Sequence, residues 1–150
     1  MKRFGILIIT LSLVFLLTTA LPVAAKIKSP FQGKWQGIDV DGSTITMTIR
    51  EENSSVGKVF AINAHDTYTG VWCTSRGAAD LQAIGVSSGE NSLAVSLVWW
   101  CLPPGSGLFP YNSADPNFAG KYFAETTFTY YPLTDSFIDG FGAVFYRSGK

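Results

Sequence analysis

Between Lys34 and Arg147 stretches in which apolar side chains alternate with period two recur, and no stretch reads as a helix. Period two sends successive side chains to opposite faces of a strand. The clearest run is 43–49, where Ile45, Met47 and Ile49 take one face and Thr44, Thr46 and Thr48 the other. That is a half-buried strand with one wet side. The same reading gives eight strands, over 34–39, 43–50, 58–63, 68–74, 79–86, 92–101, 121–131 and 136–147. An Asp41-Gly42 turn joins the first two. Most connections are short, which favours antiparallel neighbours. The expected fold is therefore all-β, an eight-stranded antiparallel up-and-down barrel. A two-sheet β-sandwich is the alternative, but short connections leave little room for its crossovers.

The first 25 residues form a separate unit. Lys2 and Arg3 precede a nearly continuous apolar run from Ile6 to Leu17, and Val23-Ala24-Ala25 offers small residues for cleavage before Lys26. The run falls short of the ~20 residues a membrane span needs. Residues 1–25 are thus expected to be a removed signal peptide, and 26–150 a single secreted or periplasmic domain with no membrane span of its own. A short Lys-Arg opening is compatible with a bacterial source. Without the leader the chain keeps 9 basic against 11 acidic residues. Such a balance gives no basic face for nucleic acid and no pull toward anionic lipid. One His and two Cys are too few for a multi-His metal centre or a zinc knuckle, so neither metal nor cofactor is expected.

The two cysteines are expected to form a disulfide, as paired cysteines in exported chains do. Cys73 ends the fourth expected strand and Cys101 the sixth. Those strands would flank a fifth, about 9.5 Å apart. Bridging Cα atoms must approach to about 4.4–6.8 Å. Both ends would have to bend inward, and Gly77 and Pro103-Pro104 permit that. After Cys101 comes the one anomalous connection, 102–120, with four of the seven prolines and no periodicity. Loops of that length are often functional. Phe109, Tyr111 and Phe118 within it are costly to expose without purpose. In an eight-strand meander with these bounds, the loop falls at the barrel end where the first strand starts.

Polar constellations give little chemistry. Asp39-Val40-Asp41-Gly42-Ser43 opens like a calcium loop, but the fifth and twelfth positions are Ser43 and Arg50, so a hairpin turn explains it better. His65-Asp66 is expected in a loop around 63–67, and no G-x-S-x-G elbow accompanies it. Asp135, Asp139 and Glu125 could supply the paired acids of a hydrolase, with Asp135 and Asp139 on one face by alternation. Turn chemistry accounts for them more cheaply. Asn53-Ser54-Ser55 has the form of a glycosylation acceptor, which matters only in a eukaryotic host.

Aromatics are the strongest compositional signal: Trp35, Trp72, Trp99 and Trp100 stand beside nine Phe and six Tyr after residue 25. Leu93, Val95, Leu97 and Trp99 alternate to one face, expected inward, which turns Trp100 outward or toward the long loop. Gly33-Lys34-Trp35 opens the first strand and Arg147 closes the last. That pairing resembles lipocalin-like (calycin) barrels, which begin G-x-W and lay a basic residue over the Trp. Gly33-Lys-Trp35 followed by Thr46-Met-Thr-Ile49 also looks like avidin-type barrels. The lipocalin T-D-Y motif is absent. A further likeness, in Trp35, Asp39-x-Asp41-Gly-Ser43, two single Cys, Tyr130-x-Pro-x-Thr-Asp135, Asp139 and Arg147, is to small exported bacterial domains of unassigned activity. The calycin resemblance implies structural roles for Gly33 and Arg147, with Arg147 covering Trp35.

The function expected from these readings is a secreted, non-enzymatic binding module. A small apolar or aromatic ligand would sit in the barrel or under 102–120, against Trp35, Trp99, Trp100, Phe109 and Tyr111. The alternative is a surface module that binds glycan or protein through Trp100 and the loop, and a hydrolase using the acids is a third.

Overall fold

The computed structural model describes residues 29–55, 57–69, 73, 77–102 and 121–149. The expected leader (1–25), Trp72, Phe109, Tyr111 and Phe118 lie outside them. The described residues form an all-β closed barrel in which each of eight strands pairs with its sequence neighbours and the last returns to the first. The strands are β1 (Gly33–Ile38), β2 (Thr44–Ser54), β3 (Gly57–Asp66), β4 (Ala79–Gly89), β5 (Ser92–Cys101), β6 (Lys121–Tyr131), β7 (Ser136–Ile138) and β8 (Val144–Arg147). Every pairing is antiparallel.

Two boundaries differ from the sequence reading, and together they keep the count at eight. Of the expected strand at 68–74, residues 70–72 and 74 lie outside the described residues, and Cys73 makes an isolated bridge. β3 instead runs on to Asp66 and pairs directly with β4, Asp66 opposite Ala79, so a strand at 68–74 would have no partner edge. The expected last strand is two. Asp139 breaks it: its backbone N–H donates to the Ala143 carbonyl, and the Gly142 N–H donates back to the Asp139 carbonyl. Gly142 takes the positive φ (+99°) that this turn requires. Asp39 and Gly42 build the same turn between β1 and β2.

With β3 paired directly to β4, β5 runs opposite to the expected direction. Cys101 therefore lies at the barrel end opposite Gly33, and the connection 102–120 leaves from that far end, not from the Gly33-Trp35 end. The disulfide needs no inward bend. Cys101 pairs with Ala79 at the start of β4, Leu102 donates to the Ala78 carbonyl, and Cys73 reaches Cys101 with Cα atoms 5.6 Å apart.

The barrel is sheared. Followed from Gln36 through β2 to β6, the hydrogen-bonded row reaches Lys121; followed through β8 and β7 it reaches Tyr131. That offset of ten residues tilts the strands by roughly 40°. Rows of paired residues therefore climb the barrel. The row that holds Trp35 near one end passes Met47, Ala64 and Leu81 and arrives at Trp99 and Tyr122 near the other.

The Gly33 end is a packed floor. Phe31 precedes β1, is 2 % exposed, and lies against Phe60, Tyr130 and Phe137. Phe137 is sandwiched between Phe128 and Phe145, with ring centroids 4.8 and 4.6 Å away, and Trp35 meets its edge at 4.9 Å. The Trp35 Nε1–H donates to the Phe31 carbonyl (2.8 Å), which settles the one polar atom of a side chain only 1 % exposed. Arg147 closes this end. Its guanidinium carbon sits 4.2 Å from the Trp35 ring, and Nε donates to both Asp135 oxygens (3.0 and 2.9 Å). Nη1 and Nη2 donate to the Gln32 and Pro30 carbonyls. Gly33 makes room for it: a Cβ there would lie 2.6 Å from Nη1, on a backbone with φ +144°.

Replacing Arg147 with Ala takes the charged partner from Asp135 and the donor from two carbonyls, and should cost about 3 kcal/mol. Arg147→Lys keeps the charge but not the fork, and should recover less than half of that. Urea denaturation of the three proteins measures both. Removing the disulfide as Cys73→Ser with Cys101→Ser should cost ~3–4 kcal/mol for a loop of this length. Far-UV circular dichroism should still report the barrel, because the bridge ties a connection to the wall and holds no strand pair.

Candidate functional site

The end opposite the floor is built from smaller residues. Inward positions there include Ala64, Ala79, Ala83 and Ala124, where the floor has Phe and Trp. Alanines put less side-chain volume into the barrel at these positions than the floor's rings do at theirs. Ile45, Leu81, Trp99, Tyr122 and Ala124 are only partly buried, although alternation turns them inward. Trp99 and Tyr122 face one another across the β5–β6 pair, with centroids 4.3 Å apart and planes 30° from parallel. Both pack on the cluster of Cys73, Ala79 and Cys101. The disulfide thus backs an aromatic pair at the end opposite the floor.

Two carboxyls share this end. Asp66 closes β3, and its Oδ1 accepts from the Tyr68 N–H (3.2 Å). Asp139 Oδ1 accepts from the Phe141 and Ala143 N–H groups (3.0 and 2.9 Å). Burial pushes both above the usual aspartate range, and the charge of Asp39 adds to it in each case. At the floor, burial and then Asp135 push the Tyr130 hydroxyl up, and that hydroxyl donates to Asp135 (3.0 Å).

The residues singled out in the sequence are distributed as follows. Trp99 is at the open end, facing in. Trp35 is on the same climbing row but in the floor, under Arg147 and nearly sealed from solvent. Trp100 is on the outer wall, opposite Asp80 and Lys121. Phe109 and Tyr111 lie outside the described residues. Asp135 is spent on Arg147 at the floor, Asp139 caps a turn at the other end, and Glu125 faces out from β6 beside Ser96. The three acids are not brought together. His65 belongs to β3 rather than a loop; it points outward, with Nδ1 2.7 Å from Asp80 Oδ1. Among the described residues no group of three or more His, Cys, Asp or Glu could hold a metal ion. Tyr122 was missed in the sequence. Its signal was available: it sits at the inward phase of 121–131, beside the end of the strand that carries Trp99.

No protein-family model, no curated protein and no solved structure matches the chain.

The raised carboxyls set a pH dependence with a definite sign. A carboxyl with its folded pKa above the unfolded value binds more protons when folded, so stability falls as pH rises from 3.8 through the folded value. Asp66→Asn keeps an acceptor for Tyr68 and removes the charge. It should raise the Tm at pH 7, and the gain should vanish below pH 3.8, where the wild-type carboxyl is already neutral.

Proposed function

We propose that the chain is a secreted binding module that takes a small apolar or aromatic ligand at the open end of its barrel, and that it performs no catalysis. The observation that carries this reading is the Trp99–Tyr122 pair. It faces inward, is only partly buried, and stands at an end whose inward positions include Ala64, Ala79 and Ala124, while the opposite end is packed with rings. Small-molecule sites are mostly apolar and concave, with a few polar groups to orient the ligand. Asp66, whose carboxyl burial pushes up from its ordinary value, and the Tyr122 hydroxyl would be those groups. A planar apolar ring would extend the Trp99–Tyr122 stack, at roughly 0.5–1.5 kcal/mol beyond its buried area.

Export supports the same reading. The Lys2-Arg3 opening, the apolar run and Val23-Ala24-Ala25 fit a cleaved leader, and a disulfide at the rim suits an oxidising compartment. No helix of the described residues is long and apolar enough to cross a membrane. The likeness of Gly33, Trp35 and Arg147 to calycin barrels adds a fold in which a closed floor leaves the other end for ligand.

Titration with N-phenyl-1-naphthylamine tests the proposal. Its emission should rise and saturate, and tryptophan emission should fall by energy transfer. Trp99→Ala or Tyr122→Ala should weaken binding by about tenfold, as expected for losing one aromatic contact. Leu133→Ala, fully exposed at the floor end, should change nothing. Absence of saturable binding, or binding indifferent to both rim variants, overturns the reading.

A further inference from the structure

The outer wall carries a second feature, independent of the open end. Outward positions also climb in rows. One row runs Lys34, Thr48, Asn63, Gln82, Val98 and Phe123, and the next runs Gln36, Thr46, His65, Asp80, Trp100 and Lys121. Between them lies a groove of about 520 Å³. Its bed is formed by the short side chains Thr46 and Thr48. Asn63 and Gln82 stand along it, and Trp100 closes it on the β5 side. The volume is within the range of small-molecule sites, and the lining mixes polar side chains with apolar surface.

Charge narrows the occupant. His65 and Asp80 turn onto each other at 2.7 Å. Lys34 lies at the β1 end. Beside that pair, Asn63, Gln82, Thr46 and Thr48 present uncharged amides and hydroxyls. Each amide offers both a donor and an acceptor in one plane, which suits a ligand with adjacent hydroxyls that also donate and accept. Trp100 adds one flat apolar face, enough for the C–H face of a sugar ring and too little for a protein core contact. A nucleic acid strand would need a cationic track, which the groove lacks.

We propose that this groove binds a neutral polysaccharide chain, with Trp100 stacking on one pyranose ring and Asn63, Gln82 and Thr48 hydrogen-bonding its hydroxyls. The amides are solvated when the groove is free, so each sugar hydroxyl replaces water nearly one for one. Stacking on Trp100 then supplies most of the affinity. The proposal does not rest on the open-end site, and Trp99 and Tyr122 take no part in it.

Affinity electrophoresis of the protein purified from an oxidising compartment is the test. The gels would contain barley β-glucan, galactomannan, arabinoxylan or soluble starch, with alginate as the anionic comparison. The wild type should be retarded by at least one neutral polymer. Trp100→Ala should abolish that retardation, and Gln82→Ala should weaken it about three- to tenfold, the worth of one hydrogen bond. Leu133→Ala should migrate as wild type. If Trp100→Ala misfolds, the exposed pair Asn63→Ala with Gln82→Ala carries the test, and its retardation should be lost. Free migration in every neutral gel, retardation by alginate alone, or retardation that survives the groove variants overturns the proposal.

Discussion

The contact of Arg147 with Trp35 holds this barrel's two halves in different states. One guanidinium joins the last strand to the first through the Trp35 face, to the β6–β7 turn through Asp135, and to the segment before β1 through the Pro30 and Gln32 carbonyls. Four parts of the chain converge on a single side chain. With that end closed, Phe31, Phe60, Phe128, Phe137 and Phe145 can stack into a dry floor. A floor so filled carries much of the apolar burial, which permits the other end to be built from alanines. The asymmetry is what makes an internal site physically reasonable in a small barrel, since eight strands enclose a width that side chains alone can fill.

Shear converts this asymmetry into geometry. Because paired rows climb by ten residues in one turn, residues that are hydrogen-bond neighbours along a row need not share a height. Trp35 and Trp99 belong to one row, yet one is sealed under Arg147 and the other stands at the rim beside the disulfide. The same climb slants the polar stripe on the outer wall toward Trp100. Two surfaces with different chemistry, one apolar and inward, one polar and outward, thus end on adjacent residues of β5.

Much of this was legible in the alternation. The phase of Ser43–Ile49 and of Leu93–Trp99 placed their side chains on the faces they occupy, and Gly33, Trp35 and Arg147 pointed to one another before any coordinates. The strand bounds were harder. Tyr68–Thr74 has β-prone residues, but propensity cannot show that β3 already uses the edge it would need. Asp139-x-x-Gly142 repeats the spacing of Asp39-x-x-Gly42, and recognising the second turn from the first would have split the last strand. The error had a consequence beyond one element, because a strand too many before β5 places the disulfide and the connection 102–120 at the wrong end. The inward phase of Tyr122 was legible in 121–131, but its place opposite Trp99 is fixed by register, which a single strand does not reveal.

Hydrogen exchange followed by mass spectrometry on the oxidised protein tests the division between floor and rim most directly. The account predicts that amides around Trp35, Phe137 and Phe145 exchange only through global unfolding, while those around Asp66, Ala79 and Trp99 exchange earlier through local opening. Equal protection at both ends, or a floor that opens before the rim, would contradict it.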